Sequence, residues 1–141
     1  MKIAALVLIA AALTGCAASG PKYQSMASTL PAVGADQGRI YFYRNAAMMG
    51  GAVTADIHLD GKVVGESKQG GFFYVDAKPG SHEARTSTEA ENKLSFVLDK
   101  GETKYVRTKI QMGLLVGRVV PELVNEAEAK KELGELSYTG K

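Results

Sequence analysis

Apolar and polar residues alternate along most of the chain from residue 38 onward, as they do in β-strands with one buried face. Ile57 and Leu59 lie on one side of such a strand, and Asp56 and His58 lie on the other. Aromatic and β-branched residues, which favour strands, fill the stretch 39–44. The predicted strands cover residues 39–44, 55–59, 62–64, 72–75, 82–86, 94–98, 105–110 and 119–124.

Short turn signals separate these strands. Asp60-Gly61 predicts a tight hairpin, because both central residues of such a turn take positive φ and this residue pair tolerates it. Pro79-Gly80 marks another turn, and residues 99–102 join two further strands. Closely spaced turns favour a sandwich or a partly open barrel. We therefore predict an all-β fold, an antiparallel β-sandwich of about seven to eight strands, with one short C-terminal α-helix.

The C-terminal part of the chain changes from the strand period to the helix period. Asn125 precedes a run of good helix formers, and Glu128 stands three residues after it, as in a capping box. Gly134 is suited to end the helix. The apolar residues expected to pack on the sheet are Ala127, Leu133 and Leu136. Residues 137–141 are expected to fray as a tail.

The N-terminal stretch has the pattern of a secretory signal. A single Lys2 precedes the uncharged run 3–13, which is too short to span a bilayer. The following Leu13-Thr14-Gly15-Cys16 resembles the lipobox of bacterial lipoproteins. That resemblance implies cleavage between Gly15 and Cys16, a diacylglycerol on the Cys16 thiol and an N-acyl chain on the new terminus. An ordinary signal, or a short anchor helix with an unrelated cysteine, is the alternative.

The lipobox would divide the chain into four segments: a signal peptide at 1–15, a lipidated N-terminus and flexible tether at 16–37, a β-sandwich at 38–136 and the tail. Two or three acyl chains hold a protein on a membrane essentially permanently. By resemblance to Gram-negative lipoproteins, Ala17 in place of aspartate favours the outer membrane. We expect a location in the cell envelope, on the outer membrane and facing the periplasm.

Composition excludes several classes of function. The net charge is +2, and loss of Lys2 leaves 16 basic against 15 acidic residues, so we expect no nucleic-acid partner. The single cysteine leaves no disulfide, and its acylation would exclude a cysteine nucleophile or a multi-cysteine metal site. We expect no cofactor apart from the covalent lipid on Cys16.

Several motifs, in their order along the chain, resemble a known family. They are the stretches 38–44, 60–65, 79–82, 101–107 and 112–118. Together they resemble the small bacterial lipoproteins of the family DUF2846, from about residue 38 to residue 136. A weaker resemblance links the D-G-x-x-x-G hairpin and the following P-G-x-H to PEGA-type β modules. The family implies a β-sandwich lipoprotein and offers no catalytic residues.

Residues 112–120 form an unusual apolar segment, with Leu114-Leu115-Val116 between two glycines. One interpretation is a bulged or glycine-kinked core strand. The other pairs this segment with the glycine-rich stretch 46–53 to form a patch for a protein partner or lipid. The candidate patch residues are Met48, Met49, Met112, Leu114, Leu115 and Arg118.

A second candidate surface is a basic and aromatic strand face. Tyr105, Arg107 and Lys109 share one side of a predicted strand and could meet lipid phosphates or cell-wall glycans. The alternative is the solvated side of an edge strand. The only histidines, His58 and His82, would form a metal site with nearby carboxylates only if the strands bring them together.

The paired carboxylates Glu89/Glu91 and Glu126/Glu128 are assigned to solubility and to the helix dipole. No catalytic constellation emerges, so we expect no enzyme. The first hypothesis is a membrane-anchored envelope lipoprotein that acts as a non-catalytic protein-interaction or assembly-accessory module, with an envelope protein as its partner. The alternative is a lipoprotein that binds a small ligand or cell-wall glycan, and a metal-dependent envelope enzyme is the least favoured.

Overall fold

Two β-sheets pack face to face in the computed structural model, which describes residues 17–47 and 50–140. Two short helices accompany them, α1 (Tyr23–Met26) and α2 (Glu126–Leu133), and a 3₁₀ turn follows α1 at Ala27–Thr29. The strands are β1 (Gly38–Tyr43), β2 (Asp56–Leu59), β3 (Lys62–Glu66), β4 (Gly71–Ala77), β5 (Gly80–Ser87), β6 (Glu91–Leu98), β7 (Thr103–Gln111), β8 (Arg118–Val124) and β9 (Ser137–Tyr138). The predicted β-sandwich with a short C-terminal helix is confirmed.

The five-stranded sheet has the order β8-β7-β1-β4-β9, and the four-stranded sheet has the order β3-β2-β5-β6. The smaller sheet is antiparallel throughout. In the larger sheet, β1 pairs with β7 and β4 pairs with β9 in parallel, which the antiparallel prediction did not include. Strands β2 to β6, most of them in the smaller sheet, lie between β1 and β7 in the chain. The chain enters β1 and β7 from the same end of the sandwich, so these neighbouring strands are parallel.

Both faces of the larger sheet are buried. Ile40 and Phe42 point into the core between the sheets, where they pack with Ile57, Leu98 and Val106. Tyr41 and Tyr43 point to the outer face, which α1 and α2 cover. All six residues of β1 are therefore buried, and this accounts for its unbroken run of large side chains.

The β2–β3 hairpin and the cap of α2 form as the sequence predicts. Asp60 and Gly61 have φ values of 51° and 84°, the positive pair that a tight hairpin turn requires. The Asn125 side chain accepts a hydrogen bond of 2.9 Å from the Glu128 amide. No helix within residues 17–47 and 50–140 is long and apolar enough to cross a membrane.

One packing prediction for α2 is wrong. Leu133 and Leu136 are buried as expected, but Ala127 is exposed and Ala129 is fully buried in its place. Residues 129 and 133 are four apart and share a helix face, whereas residue 127 lies on the opposite side of the helix.

The segment predicted as a flexible tether is docked on the sandwich over part of its length. Tyr23 packs edge-on against Tyr41 and Phe72, with ring centroids 6.0 and 5.4 Å away. Its amide donates to the Leu136 carbonyl at 2.9 Å. Aromatic contacts of this kind fix the segment because the outer face of the larger sheet offers an apolar surface.

The predicted fraying of the tail is wrong at its first two residues. Ser137 and Tyr138 form β9 beside β4, and Ser137 is buried. The Tyr138 amide donates to the Pro21 carbonyl at 2.8 Å. These residues satisfy the otherwise open edge of β4, a need that local sequence does not reveal.

Candidate functional site

Two connections meet at one end of the sandwich, the β1–β2 connection at 44–55 and the β7–β8 connection at 112–117. Each connection brings a glycine, Gly50 or Gly117, close to the side chain of Ile110. A Cβ atom added to Gly50 would lie 2.8 Å from the Ile110 side chain, and one added to Gly117 would lie 2.9 Å from it. Gly50 also has φ of +74°, which favours glycine. The two glycines therefore allow the connections to converge.

Between these connections lies a hollow of about 780 Å³. It is open on one side, and apolar groups make up most of its walls. Residues of both connections and of the adjoining strand β7 line it, including Val53, Ile110, Met112, Leu114, Leu115 and Val116. A cavity of this size is in the range of small-molecule sites, and its apolar walls favour an apolar occupant.

The segment Met112–Val116, here called the apolar loop, projects into solvent beside the hollow. Leu114 is 90% exposed and Leu115 is 91% exposed, and Met112 is also largely exposed. Strand β7 ends at Gln111 and β8 begins at Arg118. The interpretation of residues 112–120 as a core strand is therefore wrong for 112–117, because the leucines bury almost no surface. It holds for 118–120, which lie in β8 with Val119 fully buried. The residues are exposed as the patch interpretation requires, and their role in binding stays a prediction.

Glu89, in the turn between β5 and β6, fixes the backbone of the apolar loop. Its carboxylate accepts hydrogen bonds from the amides of Leu114 at 2.5 Å and Leu115 at 2.8 Å. The hydrogen bond from the Leu115 amide, together with those from the amides of Leu114 and Val116 and from Arg118, favours the charged carboxylate and lowers the pKa of Glu89. The sequence pattern alone assigns Glu89 to solubility. Nothing in the local sequence indicates this contact, because its two ends are 25 residues apart.

Arg44 lies at the wall of the hollow and is almost fully buried. Its guanidinium donates to the carbonyls of Val53 and Gly50, each at 2.5 Å, and to the Ser67 carbonyl at 3.3 Å. Burial lowers the pKa of Arg44. Among the described residues no carboxylate forms an ion pair with this guanidinium. Arg44 positions the β1–β2 connection and brings a positive charge to the hollow, a role that the sequence did not indicate.

The other predicted patch residues have different outcomes. Arg118 stands at the base of the apolar loop, where its Nε lies 3.4 Å from a Glu89 carboxylate oxygen. Met48 and Met49 lie outside the described residues, as do Gly15 and the predicted lipidation site Cys16.

Helix α2 covers much of the predicted ligand face, which consists of Tyr105, Arg107 and Lys109. Tyr105 is buried against Tyr41, with stacked rings 5.4 Å apart, and burial raises its pKa to about 12. Arg107 forms ion pairs with glutamates of β8 and α2, namely Glu122, Glu128 and Glu132. Lys109 pairs with Glu122 at 2.6 Å. The prediction of an open basic and aromatic face is wrong for Tyr105 and Arg107, because α2 packs across this side of β7 and its acidic residues neutralise the arginine. Lys109 is exposed, and it lines the hollow beside Arg107.

The two histidines lie on opposite faces of the smaller sheet. His58 pairs in register with Arg85 and points away from the core, since its neighbours Ile57 and Leu59 point inward. His82 shares the face of buried Ala84. The strands therefore do not join both histidines in one metal site. Within residues 17–47 and 50–140, no group of three or more His, Cys, Asp or Glu residues could hold a metal ion.

Both ring nitrogens of His82 already have partners. Nδ1 lies 2.6 Å from an Asp60 carboxylate oxygen, and Nε2 lies 2.7 Å from the Lys78 carbonyl. Burial opposes the charged ring, but these hydrogen bonds outweigh it and raise the pKa of His82. The contact joins the β2–β3 hairpin to the start of β5 and has the character of a structural ion pair.

Comparisons with known proteins identify the family. The chain is 33% identical over 99 residues to an uncharacterized protein of Haemophilus influenzae, covering 70% of this chain and 58% of that relative. The chain thus spans less than two thirds of the length of that relative. No solved structure matches the chain. The resemblance to PEGA-type modules stays a prediction. The model of the family "Protein of unknown function (DUF2846)" matches residues 34–119, from the turn before β1 into β8 with both converging connections, and the chain belongs to this family.

Proposed function

We propose that this protein is a lipid-anchored lipoprotein of the bacterial cell envelope that acts as a non-catalytic interaction module, and that its apolar loop binds another envelope component. The observation that carries the proposal is the preformed exposure of Leu114 and Leu115. Contiguous exposed apolar residues in a folded domain mark sites of protein or membrane interaction.

The geometry of the loop favours binding over accidental exposure. The hydrogen bonds from Glu89 restrain the backbone of the apolar loop, so less conformational entropy is lost when it meets its partner. Preorganised contacts of this kind support affinity, whereas a mobile apolar segment would lose part of it on ordering.

The anchor part of the proposal rests on the sequence Leu13-Thr14-Gly15-Cys16. Acylation of Cys16 would hold the domain at the membrane surface. Tethering raises the effective concentration of the domain toward other envelope components, so a modest apolar contact is sufficient for function. With Ala17 after the cysteine, we place the protein on the periplasmic side of the outer membrane.

A photo-cross-linking experiment in intact cells tests this function. A photoreactive amino acid is placed at Leu115, and a matched control carries it at Val97, which is also exposed but lies on β6. We expect discrete adducts with an envelope component from position 115 and none from position 97. Replacing Cys16 with alanine should remove the adducts together with the anchor. Equal adducts from both positions, or none from either, would argue against a specific interaction surface.

A further inference from the structure

We propose that the apolar loop is a membrane-contact surface, and that its partner is the lipid bilayer that holds the acyl chains of Cys16. In this arrangement Leu114 and Leu115 enter the apolar side of the headgroup region, and the domain stands with this end on the membrane. The inference rests on the proposed lipid anchor and names the component that the apolar loop binds.

The described chain begins at the end of the sandwich that carries the apolar loop. The Ala18 amide donates to the Gln69 carbonyl at 3.1 Å, and the Gln69 side chain donates to the Ala47 carbonyl at 2.6 Å. A Cβ atom added to Gly71 would lie 3.1 Å from the Ala18 Cβ atom. Ala18 is therefore fixed beside the start of β4 and next to the β1–β2 connection.

Covalent geometry then limits how far the acylated residue can lie from this end. Cys16 is two positions before Ala18, which allows a reach of roughly 7 Å. Strand β7, which leads into the apolar loop, lies two strand spacings from β4, or roughly 10 Å. A lipid on Cys16 would therefore lie near this end of the sandwich and hold it close to the bilayer.

The two ends of the sandwich differ in charge as a membrane-standing domain requires. At the end with the apolar loop, the stretches 17–21, 45–55 and 111–117 contain no charged residue. Beyond these stretches, this end carries Lys22, which is bridged to Ser137, and the remaining connections add Lys68, Glu89 and Glu135. Glu89 is occupied by the loop amides. The connections at the opposite end carry Asp36, Asp60, Lys78, Asp99, Lys100 and Glu102. The two converging connections are therefore the uncharged part of this end and are suited to lipid, whereas the opposite end is suited to water.

The hollow behind the apolar loop adds a charge that fits a phospholipid. Three basic residues, Arg44, Arg107 and Lys109, line it with one carboxylate, Glu122, so its lining is positively charged. Arg44 is almost fully buried and donates to three backbone carbonyls, whereas Lys109 is exposed. Guanidinium and ammonium groups both bind phosphate, and the apolar walls fit the adjoining acyl region. The combination of apolar tip, cationic hollow and adjacent anchor favours a phospholipid surface over a protein.

Fluorescence quenching by brominated lipids tests this inference. The chain has no tryptophan, so Leu115→Trp provides a single probe, and Val97→Trp provides a matched exposed control remote from the apolar end. The full chain is expressed with its leader, and the mature lipoprotein is reconstituted in vesicles of phosphatidylethanolamine and phosphatidylglycerol with brominated acyl chains. We expect at least about a twofold quenching and a blue shift for Leu115→Trp, since the probe enters the interface. The control should show neither effect.

A second measurement uses the mature chain with Cys16→Ala, which removes the anchor. Its residual binding to the same vesicles should fall at least about tenfold when Leu114 and Leu115 are both replaced by serine, because two large apolar side chains no longer enter the lipid. Thermal unfolding of every variant verifies that the fold is intact. Residual binding that is unchanged by the double substitution would count against membrane contact by the loop.

The outcomes separate this inference from the proposed function. Mass spectrometry of the purified lipoprotein shows whether Cys16 carries acyl chains. If it does and Leu115→Trp is not quenched, the membrane contact is refuted while the anchored module stands. If protein adducts form at position 115 in cells, the loop binds a protein and the lipid inference is again overturned. If Cys16 carries no lipid, the proposed anchor fails. Coupling this thiol to a maleimide lipid then tests the geometry alone.

Discussion

Replacement of both Leu114 and Leu115 with serine should leave the free energy of unfolding nearly unchanged. The two side chains are 90% and 91% exposed, so only about a tenth of each is removed from water. Complete burial of a leucine side chain contributes roughly 1.5–3 kcal/mol, so the pair should contribute about 0.5 kcal/mol or less. The small value follows directly from the position of the loop outside the core.

A matched substitution in the core gives the opposite expectation. Leu133 in α2 is fully buried, and Leu133→Ala removes apolar contacts and leaves a cavity. Such changes cost roughly 2–5 kcal/mol. An exposed leucine pair and a buried leucine therefore predict clearly different losses in the free energy of unfolding, which distinguishes the exposed loop from a core strand.

Urea unfolding of the mature chain, followed by far-ultraviolet circular dichroism, measures both variants against the unsubstituted protein. We expect the midpoint for the serine variant to stay close to the original value, with an unchanged slope, and the midpoint for Leu133→Ala to fall clearly. A loss of more than about 2 kcal/mol in the serine variant would refute the reasoning, because it would place the leucines in the core.

Four further predictions test other contacts. Glu89→Gln should increase hydrogen exchange at the apolar-loop amides. In the unsubstituted protein the same loss of protection should appear as the pH falls through the lowered pKa of Glu89, since the ordered loop needs the charged carboxylate. Asn125→Ala should lower the free energy of unfolding by about 1 kcal/mol in urea titrations, because it removes the cap of α2. The ion pair of His82 with Asp60 should stabilise the fold below the ordinary His pKa of 6.5 and lose its contribution as the pH rises through the raised folded value, so His82→Asn should flatten the dependence of Tm on pH. Tyr23→Ala should cost about 1–2 kcal/mol and expose the N-terminal segment to proteolysis, since it removes two aromatic contacts.

Features that depend on a few adjacent residues could be predicted from the sequence. Asp60-Gly61 gives its hairpin because few other residue pairs accept two positive φ values. Asn125 caps its helix because its side chain reaches an amide only three residues away. The alternation of Ile57 and Leu59 with polar neighbours gives the inward face of β2.

Features that depend on distant parts of the chain could not be predicted in this way. The parallel pairing of β1 with β7 joins residues more than 60 positions apart. Tyr105 is buried because α2 packs across β7. The alternation of Tyr105 with Arg107 and Lys109 predicted an exposed face, since the sequence does not show that the helix returns to this strand. The short β9 forms because β4 has an open edge, although its own sequence has little strand character.

The candidate site shows the same division. One of the two interpretations of the sequence placed the glycine-rich stretch 46–53 beside the segment 112–120, and the two connections do converge on Ile110. It could not indicate Glu89 or Arg44, whose contacts cross between strands that are separate in the chain. The hydrophobicity of the apolar loop is compatible with either a core strand or an exposed loop. The contacts with Glu89, which the local sequence does not show, favour the exposed loop.

The position of the apolar loop is itself an argument for its role. A hollow with apolar walls lies beside the loop, so an exposed leucine pair has a nearby surface on which it could be buried. The carboxylate of Glu89 holds the consecutive amides of Leu114 and Leu115, and this contact keeps the backbone in the conformation that exposes both side chains. Exposure of both leucines forgoes burial that would stabilise the isolated domain. Contact of the loop with an apolar medium would recover that loss. Ala18 lies at the same end of the sandwich, so an acylated Cys16 would place this end close to a bilayer.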